Sequence, residues 1–476
     1  MASNPIAQEH GAQVDKALDY IDANLVEALE RLKAVLRIPS ISTDPEFAAD
    51  CEEAANYFVN ELQGLGFEAQ AYQTNGHPMV VARYDGAPAG AQRVLFYGHY
   101  DVQPPDPLEL WETPPFEPQV LTREDGTKFI RARGVSDDKA QVRTFIEACR
   151  AWIATQGRLP VNVTVFLEGE EESGSPSMKP FMEEHAGLLT ADIAMICDTH
   201  MWNRDTPAIT ISLRGTAAGE VTIKAADIDL HSGLFGGPAR NPLEVLSRIL
   251  ADLRDDDGAV QLPGFYDGVP EVDPALKQVW DKVPFDAKAF LGNVGLSLPA
   301  GESERSVLEQ VWARPTAEIN GMWGGYTGKG FKTVIPAEAS AKVSFRLFGE
   351  QDPEQVWSSF EQFVRERLPA DCEASFVPRS GSPACVVAYD NPYLQATRAA
   401  LDEEWTEESL LLGGGGSIPM PLVFKKYLGL ESIMPGFGLE DDAIHSPNEK
   451  YEMQSFHKGQ RSWVRILDKI AQLPAT

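Results

Sequence analysis

Residues 15–36 set Ala17, Leu18, Ile21, Leu25, Leu29, Leu32 and Leu36 at helical spacing, which predicts one long amphipathic helix. A second helix is expected over 52–65. The pattern then shortens: Arg93-Val94-Leu95-Phe96-Tyr97-Gly98 is a compact apolar run that reads as a buried strand, and it delivers His99. A helical stripe of Val142, Phe145, Ile146, Cys149 and Trp152 follows. The alternation of Val161, Val163, Val165 and Leu167 makes the next strand, which leads to Glu171 and Glu172. Residues 191–197 form a further short apolar strand that ends at Asp198. Strand and helix alternating in this way predict an α/β fold, its sheet mostly parallel and covered by helices on both faces.

Near Leu213 the pattern changes. Residues 220–224 read as a strand, and 242–253 as a helix with Leu243, Leu246, Ile249, Leu250 and Leu253 inward. Ala341, Val343, Phe345 and Leu347 line one face of a later strand, and 353–368 is another helix. Two helices beside a small antiparallel sheet are an α+β arrangement able to form its own core. Because His445 lies beyond it, this module is expected to be an insertion. Residues 1–212 and 384–476 then form the catalytic, metal-binding domain, and 213–383 a smaller inserted domain.

Composition narrows the partners. Of 476 residues, 41 are Lys or Arg and 71 are Asp or Glu, a net charge of −30. That excess argues against nucleic acid or an anionic membrane surface as a partner. The first residues show no basic stretch followed by an apolar core, and no run of 18 apolar residues occurs, so neither secretion nor membrane insertion is expected. Five scattered cysteines, with no CxxC pair, read as reduced thiols of a cytoplasmic protein, and a structural thiolate zinc site is not expected.

The candidate chemistry lies in five short stretches: His99 and Asp101 in GHYDVQP, Asp137 in GVSDDKA, Glu171 and Glu172 in EGEEESGS, Asp198 in CDTH, and His445 in IHSPNE. The first four sit at or just beyond the ends of strand-like runs, where ligands gather in open α/β sheets. Two histidines and three acids suit two divalent cations sharing one carboxylate, which is hydrolytic chemistry. No motif supplies a Ser or Cys nucleophile. Asp101 shares a strand face with His99 and can brace its ring. Taken singly, each group has a plainer reading. Asp137 can be a helix N-cap, residues 170–172 a solvated acidic loop, Asp198 a turn residue, and His445 a solvated histidine. Their conjunction favours metal. Arg346 stands opposite the apolar face of its strand, as a clamp for a substrate carboxylate or as a surface salt bridge.

GHYDVQP, GVSDDKA, EGEEESGS, LHSGLFGG, KTVIP, GGSIP and IHSPNE run in the order and near the spacing seen in di-zinc metallopeptidases. Over nearly its full length the chain resembles that family of carnosine dipeptidases, carboxypeptidase G, aminoacylases and succinyl-diaminopimelate desuccinylase, and most of all the carnosine-dipeptidase-like branch. The resemblance implies that the insert is a lid and dimerisation domain. It places His99 and Asp198 on one metal, Glu172 and His445 on the other, and Asp137 across both, with a cis Asp137–Asp138 peptide. Asp101 would orient His99, Glu171 would be the general base, and Glu170 would have no role in the chemistry. His231 would stabilise the oxyanion from the partner subunit of a homodimer. Thr333, Arg346, Gly416 and Ser417 would contact substrate. Zinc is the default metal for such ligands, and manganese or cobalt fits the same set.

One departure matters. The dipeptidases carry an acidic residue three positions before the Ser of the GGSIP loop, where it helps hold the substrate's amine; this chain has Gly414. The expected function is therefore metal-dependent amide hydrolysis of small carboxylate-bearing substrates, dipeptides first and N-acyl amino acids as the alternative. A catalytically inactive binding protein of the same fold would show a damaged ligand set or lack Glu171, and neither is seen.

Overall fold

The computed structural model describes residues 5–415 and 419–474. The chain divides into two compact units, one of Met1–Thr210, Val387–Leu411 and Val423–Thr476, the other of Ile211–Val386 and Leu412–Leu422. Leu412–Leu422 thus groups with Ile211–Val386, apart from its flanking segments Val387–Leu411 and Val423–Thr476.

In the first unit the single helix expected over 15–36 is two, Pro5–Ala23 and Leu25–Leu36. They part at Asn24, whose backbone leaves helical geometry while its side-chain amide donates to the Tyr20 carbonyl at 2.8 Å. Asparagine competes with the helix in this way through its own short amide. The helix expected at 52–65 spans Ala48–Gly64.

The main sheet runs in spatial order through Glu68–Tyr72, Met79–Tyr84, Asn162–Glu168, Arg93–His99, Ile193–Ile196 and Ser432–Gly436, and then Ala208–Leu213, which joins through its first residues. The four strands from Asn162–Glu168 to Ser432–Gly436 are parallel. The hairpin Glu68–Tyr72/Met79–Tyr84, unforeseen from sequence, is antiparallel, because its short connection cannot make a crossover. Both faces of the parallel block are covered. Phe96 stacks on Phe145 at 4.0 Å between ring centres and meets Trp463 edge-on. On the other face Phe166 stacks on Phe181, and Tyr97 meets Phe424 edge-on. Burial on both faces is why these strands read as unbroken apolar runs.

Because these strands run the same way, their carboxyl ends share one edge of the sheet. His99, the Glu171–Glu172 turn and Asp198 arrive there together. A small three-stranded sheet of Gln119–Thr122, Lys128–Arg131 and Lys450–Glu452 ties the chain after His445 to the segment leading into Asp137.

The second unit is built on a four-stranded antiparallel sheet in the order Thr316–Gly324, Glu338–Leu347, Gly215–Lys224, Glu373–Ser382. Ala217, Val221, Ile223, Val343, Phe345 and Leu347 pack beneath the helices Pro242–Ala251 and Pro353–Arg367. Each helix starts on a proline behind a capping side chain, Asn241 bonding the Leu243 N–H and Asp352 the Gln355 N–H. Among the described residues, no helix is long and apolar enough to cross a membrane.

Candidate functional site

Asp137 lies at the centre of the charged cluster. One of its oxygens is 2.8 Å from His99 Nε2 and the other 3.0 Å from His445 Nε2, which is also 3.0 Å from Glu172 Oε2. Donor atoms of His99, Asp137 and Asp198 all lie within 4.8 Å of one another, and so do those of Asp137, Glu172 and His445. The structure brings all five residues expected as ligands into two groups that share one carboxylate. Each group can hold a cation.

Neighbouring groups fix each of these side chains. His99 ends its strand fully buried, with Nδ1 3.1 Å from the Asp101 carbonyl and 3.3 Å from its carboxylate, which aims Nε2 at Asp137. The Asp101 carboxylate also accepts the N–H groups of Glu171 (3.3 Å) and Glu172 (3.0 Å). One acid therefore positions both the histidine and the acidic turn. Gln103 donates to the Glu172 carbonyl at 3.1 Å and to its carboxylate at 2.9 Å. The Asp137–Asp138 peptide is cis, as the resemblance implies. The Asp138 carboxylate accepts the His99 N–H at 3.2 Å and passes so close over Gly98 that a Cβ there would lie 2.6 Å from its Oδ2. His445 sits in a loop where Ala443, His445 and Asn448 all adopt positive φ. Asn448 anchors that loop by exchanging bonds with Glu112 and Leu110.

The three consecutive glutamates have different tasks. Glu170 is buried, and its two oxygens each accept a backbone N–H at 3.0 Å, from His77 and from Ser177. It staples the loop and is unavailable for chemistry. Glu172 is in the ligand cluster. The Glu171 carboxylate has no hydrogen bond from protein among the described residues, and burial pushes its pKa up, with His99 opposing and Glu172 and Asp137 adding to the rise. An unanchored carboxylate of raised basicity beside ligand groups has the character of a general base.

The cluster's charge favours a cation. Burial raises Asp198 and Asp138 well above the usual carboxylate range, and neighbouring aspartates add to both shifts. Burial works against an ionised Asp137, yet bonds from His445 and His99 hold it well below that range. Those bonds act in turn on His445, which Asp137 and Glu172 push up to about 10. Protons therefore sit between the same atoms that a metal would bind.

Glu449 was not singled out from the sequence. Fully buried, it accepts the N–H groups of Gly134 (2.7 Å), Ser136 (2.8 Å) and Asp137 (3.2 Å), and pairs with the buried Arg133 guanidinium at 2.8 Å. It fastens the His445 loop to the Asp137 turn. Its only sequence signal was its place in IHSPNE, where an acid in an acid-rich loop reads as solvated.

The residues expected to contact substrate belong to the second unit. His231 pairs with Val334 in a two-residue ladder beside Thr333, whose carbonyl accepts the Ser232 N–H. The His231 Nδ1 accepts the Gly233 N–H at 3.0 Å, so in the neutral ring of this exposed residue Nε2 carries the proton. Arg346 stands half-buried on the sheet face opposite the core. Gly416 and Ser417 lie outside the described residues.

Residues 95–469 match the family model described as Peptidase family M20/M25/M40. The chain belongs to that family. Among M20 relatives, it is 29% identical over 461 residues to the Cys-Gly metallodipeptidase DUG1 of Candida albicans, covering 93% of this chain and 94% of that one. It is also 29% identical over 488 residues to the human Beta-Ala-His dipeptidase, covering 97% and 94%. The solved structure of the di-peptidase Dug1p from Saccharomyces cerevisiae superposes with a TM-score of 0.69 at 25% identity, covering 97% of this chain and 99% of that one.

Proposed function

We propose that this M20 protein is a dinuclear metallodipeptidase that hydrolyses dipeptides with a free terminal carboxylate. The carrying observation is the Asp137 carboxylate shared by two three-residue donor groups, with the unanchored Glu171 beside them. The names of the relatives support dipeptides as the substrate class.

In this reading His99, Asp137 and Asp198 hold one divalent cation, and Asp137, Glu172 and His445 the other. The donor chemistry, imidazole with carboxylate, suits zinc first and manganese or cobalt next. Such a pair of cations supplies Lewis acidity at the scissile carbonyl and acidifies water. Glu171 takes the proton of the attacking water and passes it to the departing amine nitrogen. His231, donating from Nε2, stabilises the oxyanion. Arg346 takes the substrate carboxylate, with Thr333, Gly416 and Ser417 as further contacts. Asp101 keeps His99 in the tautomer that leaves Nε2 free to bind.

The reading includes a homodimer in which His231 acts in the partner's site. Supporting it, the edge strand Thr316–Gly324 exposes Ile319, Met322 and Trp323. Four buried thiols, Cys51, Cys149, Cys197 and Cys372, fit a reducing cytoplasmic compartment.

Gly414 favours one second reading, an N-acyl-amino-acid deacylase, because the glycine leaves an ammonium group without a local counter-charge. Comparing dipeptides with N-acetyl and N-succinyl amino acids on zinc- and on manganese-loaded protein decides between the two. Faster cleavage of the acylated amino acids overturns the dipeptidase reading.

A further inference from the structure

The face of the second unit's sheet that points away from its core carries two arginines with no acidic partner among the described residues. Arg346 lies directly opposite Thr216 on one side and Thr316 on the other. Side chains alternate along the chain from Leu213 into Gly215–Lys224, with Leu213 and Gly215 buried and Arg214 and Thr216 half-buried. Arg214 therefore shares the face of Thr216 one step beyond it, which sets it diagonally from Arg346. Diagonal neighbours stand about 7–8 Å apart, within reach of long side chains.

Two such guanidiniums repel. In a chain with 71 acidic residues and 41 basic ones, neighbouring arginines of the same unit do find partners: Arg254 bonds Glu318, Arg305 bonds Glu271, and Arg314 bonds Glu302. Among the described residues neither Arg214 nor Arg346 has a carboxylate within salt-bridge distance. Glu318, the acid whose charge reaches Arg214, is already taken by Arg254. Arg214 is held in place all the same. Its N–H donates to the Gly414 carbonyl at 3.3 Å, its Nη1 reaches the Gln310 carbonyl at 3.4 Å, and its Nε is buried without a partner. Burial, and then the charge of Arg346, push its pKa down to about 10. A half-buried positive group with a buried, unfilled donor beside a second positive group is a receptacle for an anion.

We propose that Arg214 is the second guanidinium of the substrate-carboxylate site, so that Arg214 and Arg346 each donate to one oxygen of the same terminal carboxylate. This deepens the reading of Arg346 given above and rests on it. Arg214 then sets specificity, because it makes an anionic terminus a requirement of binding.

The test compares a good dipeptide with its C-terminal amide on metal-loaded wild-type, Arg214→Met, Arg214→Lys and Arg346→Met proteins. For the free acid, Arg214→Met should lower kcat/KM by about 30-fold or more, mostly through KM, as when one partner of a desolvated charge pair is removed. For the amide it should change kcat/KM by less than about threefold, since no carboxylate remains to be lost. Arg214→Lys, which keeps the charge, should recover part of the loss on the acid alone. Equal losses on acid and amide would make Arg214 a structural residue and overturn the inference, as would an unchanged preference for the acid in Arg214→Met. A wild-type enzyme indifferent to amidation overturns the Arg346 reading itself, which separates the two failures.

Discussion

The candidate ligand cluster of the first unit and the proposed substrate-holding groups of the second are built on opposite principles. In the first, nearly every acid is tied by the protein: Asp101 by two backbone N–H groups, Glu449 by three, Glu172 by Gln103. Among the described residues the Glu171 and Asp198 carboxylates are the ones left without a hydrogen bond. In the second unit, His231 sits exposed on a two-residue ladder, and among the described residues Arg214 and Arg346 lack counter-ions. The first region gathers surplus negative charge on a frame of tied groups, the second positive charge that no described acid neutralises. A site meant for cations profits from being fixed in advance, since the frame then need not reorganise. Groups meant for a variable substrate can complete their bonding when it arrives.

Changing Glu171 should have the largest effect. Glu171→Gln should lower kcat by at least about 10²-fold while metal content, measured on the same preparation, stays at the wild-type level. Glu170→Gln should instead lower thermal stability by leaving a backbone N–H unanswered. If Glu170→Gln is the variant that abolishes turnover with its fold intact, the two glutamates have been assigned the wrong way round.

Loosening the frame comes next. Glu449→Gln should weaken metal affinity by about 10–100-fold, the usual cost of losing a group that orients ligands. Titration against a competing chelator measures it. Unchanged affinity would mean that the Asp137 turn holds its shape without Glu449.

A third measurement reads protons. In chelator-stripped protein His445 has its pKa raised to about 10 and His99 is raised well above its ordinary value, so at neutral pH both rings hold a proton that a metal must displace. Metal loading at pH 7 should release about two protons, and affinity should rise with pH up to about 10. Calorimetry in buffers of different ionisation enthalpy counts them. Release of none would show that the rings are already neutral.

The smallest effect compares two glycines. Gly98→Ala in the first unit puts a methyl 2.4 Å from Val142 and 2.6 Å from Asp138, and should cost about 1–3 kcal/mol in denaturant unfolding. Gly321→Ala on the edge strand of the second unit meets nothing within 4 Å and should stay within about 0.5 kcal/mol. Equal costs would remove the contrast between a rigid region and a permissive one.

Much of this was legible in the sequence wherever burial imposes a pattern. Strands covered on both faces must be apolar throughout, so Arg93–His99 and Asn162–Glu168 announce themselves, and with them the ends that carry the site. The strand Glu68–Tyr72 did not, because only one of its five residues is buried and no strong alternation results. Neither did the ladder joining His231 to Val334, since two residues carry no periodicity and their partners are a hundred positions apart. Asn24 broke a helix whose apolar spacing continued through it. Arg214 went unremarked because a single arginine between two strands gives no signal until the register sets it beside Arg346.

The Asp101 carboxylate, bonded at once near His99 and to the amides of Glu171 and Glu172, has a consequence for anyone re-engineering this scaffold. The proposed base and two proposed ligands hang from a single joint. Directed evolution toward bulkier or differently shaped substrates cannot move Glu171 without also tilting His99 and Glu172. Adaptive substitutions should therefore accumulate around the exposed groups of the second unit and leave this joint alone.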